Sequence, residues 1–175
     1  MDVKKNFPDL IRSIVFVKKK YPEIKLNILG QGPEHENLQK LIDELELSST
    51  INLVGFVDNP YEYYASASVF VQTSLWEGFG YVLAEAMACG TPVVAYDSKG
   101  AMREILDNGK YGLLTPVGDL QALANAIIQQ IEQPTPACLL AEAVQRFNVD
   151  IIANQYLEAL GVERHKNIKS IPKND

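Results

Sequence analysis

Apolar residues recur along the chain with two alternating periods. From Phe7 to Lys20, the residues Phe7, Leu10, Ile11, Ile14, Val15 and Phe16 fall at helical spacing, with Pro8 near the first helical position and Asp9 in the first turn. A helix is predicted there. Lys25 to Leu29 is a short strand-like run, stopped by Gly30, Gln31, Gly32 and Pro33. An amphipathic helix follows, with Leu38, Leu41, Ile42 and Leu45 on its apolar stripe. Strand, glycine turn and helix open a βα unit. Ile51 to Val57 and Val69 to Thr73 read as further strands, separated by a short helix over Pro60 to Ala67. Beyond a helical segment that starts near Gly80, Pro92 to Tyr96 is again strand-like. Met102 to Leu106 reads as a short helix ended by Asn108-Gly109, and Gly112 to Thr115 as a short strand. Asp119 to Gln133 carries Leu120, Leu123, Ala124, Ile127, Ile128 and Ile131 at helical spacing, and two more helices are predicted near Pro136 to Phe147 and Val149 to Leu160. Short apolar strands alternating with helices imply an α/β domain over residues 1–160, a parallel sheet with helices on both faces. Residues 161–175 lack periodicity and are predicted to be a disordered tail.

In such a sheet, ligands bind beyond the carboxyl ends of the strands. Gly30 and Gly32 follow one strand, Val57 ends the next, Ser74 to Gly80 follow a third, and Lys99 and Gly100 a fourth. The third loop is the richest in chemistry. Glu77 and Glu85 stand eight residues apart, with Gly78 and Gly80 just after the first. Glycines that lead into an amphipathic segment suggest a tight turn at a helix N-terminus, where bare N–H groups and the helix dipole favour a phosphate. Glu77 stays in the loop and Glu85 falls one to two turns into the helix, so each carboxylate is placed to accept hydroxyl hydrogen bonds from one ligand. The plainer reading is a partly solvated helix with two surface glutamates. Gly30 and Gly32 read equally well as turn glycines without ligand contact, and Trp76 and Phe79 either flank a sugar or pack in the core.

Composition narrows the partners. At 175 residues the chain suffices for one self-supporting core. A net charge of −6 argues against a nucleic-acid partner. Cys89 and Cys138 are the only cysteines, and His35 and His165 are isolated, so no metal site is expected. No apolar run reaches the roughly 18 residues of a membrane span. A cytoplasmic location is expected, and the basic tail residues Arg164, His165, Lys166, Lys169 and Lys173 are a weak candidate for contact with the inner face of an anionic membrane.

The stretch Glu77 to Ala95, EGFGYVLAEAMACGTPVVA, resembles the E-x7-E signature of retaining glycosyltransferases of the two-domain GT-B fold, in particular the large family 4 of bacterial sugar transferases. The apolar and small residues and the Gly90-Thr91-Pro92 exit match as well as the glutamates, and the likeness runs from Lys4 to about Leu160. It implies a Rossmann-like C-terminal, donor-binding domain. In that family the first glutamate contacts the transferred sugar, the intervening backbone amides approach sugar and diphosphate, and the second glutamate holds the ribose. By resemblance those roles pass to Glu77, to Phe79 and Gly80, and to Glu85. The resemblance also places the base against the backbone around Val57 and the diphosphate near Lys5, whose compact charge suits phosphate; the plain alternative for Lys5 is a solvated lysine at a helix start. With Gly30, Gly32, Ser74 and Gly78 these residues form the candidate donor site. Glu77 is its catalytic candidate, orienting the sugar rather than attacking it, and a UDP- or GDP-sugar is the expected substrate with no cofactor.

Departures from the family pattern carry expectations too. Family members begin this domain with a strand and an arginine that grips the diphosphate together with the lysine, whereas this sequence starts at Met1-Asp2-Val3-Lys4-Lys5. In strand order 3-2-1-4-5-6 that first strand is central, so its loss is expected to expose two neighbouring edges. The family's N-terminal domain lies outside this sequence as well. The chain is therefore expected to be the donor half of a transferase in cell-surface polysaccharide or lipopolysaccharide synthesis: a fragment, a product of a misplaced start, or a subunit of a split enzyme whose N-terminal half acts in trans. A non-catalytic nucleotide-sugar binding module is the alternative. Thr73 and Arg103 stand where proline is common, which is minor.

Overall fold

The computed structural model describes residues 1–161, so the tail expectation lies outside the described residues apart from Gly161. A 3-10 turn at Val3–Lys5 leads into helix α1 (Phe7–Lys20). Then follow strand β1 (Leu26–Leu29), α2 (His35–Glu44), β2 (Ile51–Gly55), α3 (Tyr61–Ser66), β3 (Phe70–Gln72), α4 (Tyr81–Ala88), β4 (Val93–Tyr96), α5 (Met102–Ile105) and a second 3-10 turn, Asp107–Gly109. The chain continues with β5 (Leu113–Thr115), α6 (Leu120–Glu132), α7 (Ala137–Gln145) and α8 (Val149–Ala159). The second strand is shorter than its apolar run, because Gly55 adopts φ 85° and turns the chain before Phe56.

Every strand pair is parallel, but the strands form two sheets: β1 beside β2, and β3-β4-β5 in that order. A strand order with its central member missing predicts this split. Successive residues of β4 point to opposite faces, and each face has its own core. Val94 and Tyr96 pack with Leu10, Ile14 and Val17 of α1, Leu38 and Ile42 of α2, and Leu123 and Ile127 of α6. Val93 and Ala95 pack with Tyr64 of α3, Leu83 and Met87 of α4, Ile105 of α5 and Leu140 of α7. A two-stranded parallel sheet is marginal alone. The β1–β2 pair is held to the larger sheet through α1, which contacts both α2 and α6.

Helix α8 stands apart from this scheme. None of its residues is buried, and Val149, Ile151, Tyr156 and Leu160 are exposed. Among the described residues no helix is long and apolar enough to cross a membrane.

Candidate functional site

Helix α4 organises the site. Its sequence, YVLAEAMA, is apolar enough to bury Leu83, Ala86 and Met87 against the sheet, which fixes its start at the carboxyl end of β3. Gly80 supplies the left-handed φ of 92° that turns the loop into the helix, and no side chain caps this end. The first-turn N–H groups of Tyr81 and Val82 are thus left for an anion.

The loop before the helix is stitched to its neighbours. The Glu77 N–H donates to the Lys99 carbonyl at 3.1 Å, and Trp76 pairs with Lys99 in a parallel bridge. Gly100 lies directly beneath, at φ 121°, where an added Cβ would meet the Glu77 carbonyl oxygen. Gly100→Ala is accordingly expected to cost about 1–3 kcal/mol in urea denaturation, because both the backbone conformation and the contact are unavailable to alanine. A variant as stable as the parent would contradict the close approach.

Three predicted residues come together around the first glutamate. Lys5 donates through Nζ to Glu77 Oε1, and Ser74 Oγ donates to the same oxygen at 2.9 Å. The Glu77 side chain is only 14% exposed. Burial alone would push its carboxyl up; the hydrogen bonds from Lys5 and Ser74 and the charges of Lys5 and Lys4 outweigh that and hold it below the usual carboxylate range. It stays an anion, and an acceptor, throughout the neutral range. The Lys5 backbone is fixed as well, its carbonyl accepting from Thr73 Oγ1 at 2.9 Å.

Glu85 sits in the second turn of α4, half-buried. No hydrogen bond or ion pair of its carboxylate occurs among the described residues. Its neighbour is Tyr64 of α3, whose hydroxyl is pushed above its ordinary pKa by burial first and then by the Glu85 charge. The carboxylate thus keeps its acceptor capacity unspent among the described residues.

The remaining residues divide. Gly78 is exposed and open. The Phe79 ring packs on Phe147 and Tyr81, with centroids 5.1 and 4.9 Å away, so only its backbone is left to approach a ligand. Trp76 is 55% exposed with Lys4 Nζ 5.0 Å above its ring. Gly30, Gly32 and Val57 lie at the ends of the smaller sheet: the Gly30 N–H donates to the Gly55 carbonyl at 2.7 Å, and Gly32 abuts the Met1 backbone. Residues 1–5 bridge the two groups.

One residue escaped the sequence reading. Gln72 is buried beneath the helix start, its Nε2 lying 3.7 Å from the position of a Cβ on Gly80, and both of its amide atoms lack a partner among the described residues. A lone polar residue in the apolar run Val69-Phe70-Val71 was the available signal. Such an amide is satisfied by a water or by a polar ligand group.

The Glycosyl transferases group 1 family matches residues 1–147. Over 132 residues the chain is 36% identical to the N-acetylgalactosamine-N,N'-diacetylbacillosaminyl-diphospho-undecaprenol 4-alpha-N-acetylgalactosaminyltransferase of Campylobacter jejuni, covering 75% of this chain and 35% of that protein. Over 162 residues it is 33% identical to the lipopolysaccharide core biosynthesis glycosyltransferase LpsE of Rhizobium meliloti, covering 90% and 46%. Among solved structures, Anabaena HepE in complex with UDP matches with a TM-score of 0.79 at 33% identity, over 91% of this chain and 46% of that one. The chain spans less than half the length of each of these relatives. Its parallel strands and two helical layers are those of GT-B glycosyltransferases. With the fold, the loop-helix site and most of the sequence in agreement, the chain belongs to the glycosyl transferases group 1 family.

Proposed function

We propose that the chain is the C-terminal, donor-binding half of a retaining, family 4 glycosyltransferase that takes a UDP-sugar and serves the assembly of cell-surface polysaccharide or lipopolysaccharide on the cytoplasmic side of the membrane. The observation that carries this reading is the pairing of the Lys5–Ser74–Glu77 cluster with the uncapped start of α4 and with Glu85 one turn further on, whose carboxylate has no hydrogen bond or ion pair among the described residues. The names of the relatives and the UDP held by HepE support the choice of substrate class.

In this reading Glu85 accepts from the ribose hydroxyls, and the base lies against the backbone near Val57. Lys5 and the first-turn N–H groups of α4 take the diphosphate. As the bond from the sugar to the diphosphate breaks, negative charge grows on the leaving phosphate, where a fixed ammonium and a helix dipole already stand. No metal is needed for that step. Glu77 accepts from the sugar hydroxyls and holds the anomeric carbon in place. The acceptor is bound by the N-terminal half of the GT-B fold.

Thermal unfolding with UDP, GDP and ADP tests the reading. UDP at about a hundredfold its Kd is expected to add about 2.7 kcal/mol and raise the midpoint by roughly 5–10 °C, with GDP and ADP doing less. A cooperative transition that none of the three nucleotides moves would overturn it.

A further inference from the structure

Gly78-Phe79-Gly80 carries the backbone into the start of α4, and two of these three residues have no side chain to hold it in place. The position of the segment therefore rests on what packs against Phe79 and Gly80. The Phe79 ring meets Phe147, just past the end of α7, edge to face at an interplanar angle of 84°. Beneath Gly80 lies α5: an added Cβ would collide with Met102 Cε and stand 3.5 Å from Ile105 Cδ1. The loop thus has two supports, α5 below it and Phe147 beside it.

Both supports converge on Arg146, the residue that ends α7. Its Nη2 donates to the Ile105 carbonyl at 2.6 Å and its Nη1 to the Glu104 carbonyl at 3.4 Å. These are the last carbonyls of α5, which a helix leaves short of partners. Its Nε donates to the Ala143 carbonyl of α7 at 3.2 Å, so one guanidinium ties the ends of the two helices together. The same group lies against two rings, its Cζ 5.0 Å from the centroid of Phe147 and 4.6 Å from that of Tyr111. Tyr111 is itself fixed: it is buried, and its hydroxyl donates to Glu142 Oε1 of α7 at 2.6 Å. A planar cation that forks onto two carbonyls while lying against rings is held in one geometry.

We propose that Arg146 and Phe147 are positioning residues for the donor-binding loop. Arg146 locks α5 under Gly80 and holds the Phe147 ring, and Phe147 in turn holds Phe79, so that the backbone at the start of α4 stands where the diphosphate is taken. Neither residue belongs to the group of side chains around Glu77 and Glu85; both act through the loop. What the loop binds rests on the function proposed above, whereas the holding of the loop does not.

Amide hydrogen exchange in the ligand-free chain tests the holding. The Glu77 N–H, bonded to the Lys99 carbonyl, reports on the loop, and the Phe70 N–H, bonded to the Pro92 carbonyl, reports on the sheet. In Arg146→Gln and in Phe147→Ala, exchange at Glu77 is expected to speed up by about tenfold more than exchange at Phe70. Phe147→Tyr keeps the ring and should exchange like the parent. A residue that only stabilised the core would speed both amides by the same factor; that result, or parent-like exchange at Glu77 in both variants, would overturn the proposal. Titration with UDP and with uridine tests the consequence. UDP affinity should fall by about 3- to 30-fold in both variants, while uridine, which offers the loop no phosphate, binds as it does to the parent. Unchanged UDP affinity, or equal losses for UDP and uridine, would also overturn it. If the parent binds neither, the nucleotide reading fails and the exchange comparison still decides whether Arg146 and Phe147 hold the loop. Should Phe147→Ala not fold, Arg146→Gln, at a partly exposed position, gives the same comparison.

Discussion

Glu85→Ala is expected to weaken UDP binding by about 1–3 kcal/mol, a loss of roughly 5- to 150-fold in affinity, with little change in the melting midpoint of the free chain. The asymmetry between binding and stability follows from its surroundings. The carboxylate is half-buried without a hydrogen bond or ion pair among the described residues, so the free protein loses neither when it is removed. Alanine is also the strongest helix former, which suits the second turn of α4. A ribose whose hydroxyls lose a charged acceptor, by contrast, is left with partners missing in a partly dry site. Calorimetric titration of both proteins with UDP measures the difference. Equal affinities would remove Glu85 from the nucleotide site and return it to the plainer reading of a helix-surface glutamate.

Lys5→Ala should act at two levels. Loss of a charged donor to the diphosphate is expected to weaken UDP binding by about 1.5–3 kcal/mol. The same change strips Glu77 of its ion pair. In the parent the carboxyl lies below its ordinary range, so its contribution to stability is present above the unfolded pKa of about 4.3 and fades as pH falls through the lower folded value. Without Lys5, only Ser74 and Lys4 oppose burial, and the folded pKa moves up. Glu77 then contributes less stability at neutral pH, and the difference from the parent fades as pH falls. The stability gap between variant and parent should therefore narrow from pH 7 towards pH 4 in urea denaturation. A gap independent of pH would show that the pair does not set the ionisation of Glu77. Because Lys5 is 32% exposed, solvent screens part of the interaction, and the pH trend is more diagnostic than the size of the gap.

The two variants also separate the halves of the site. Glu85 acts on the nucleoside and leaves Glu77 undisturbed, whereas Lys5 acts on the diphosphate and on the carboxylate beside it. A pH-dependent stability gap in Lys5→Ala with unchanged UDP affinity would keep the ion pair and remove the diphosphate assignment.

Elements and their order were legible in the sequence because they are written in local periods. Helix α1 falls on the predicted Phe7–Lys20, and α4 begins just after Gly80 as the glycine turn required. Edges were less legible, as β2 shows by ending at Gly55, where a backbone turn cuts an apolar run that continues to Val57. The amino-acid sequence by itself determined a parallel α/β domain, a helix start suited to phosphate and two carboxylates on either side of it. Tertiary structure alone decided what those groups meet. Lys5 reaches Glu77 across 72 residues, Gly100 closes under the Glu77 carbonyl, Phe79 turns its ring into the core, and the amide of Gln72 is buried without a partner among the described residues. None of these has a period or a neighbour in sequence. They arise where two loops from separate strands are brought to the same end of a sheet, and their consequences depend on burial and charge, which only the packed chain sets.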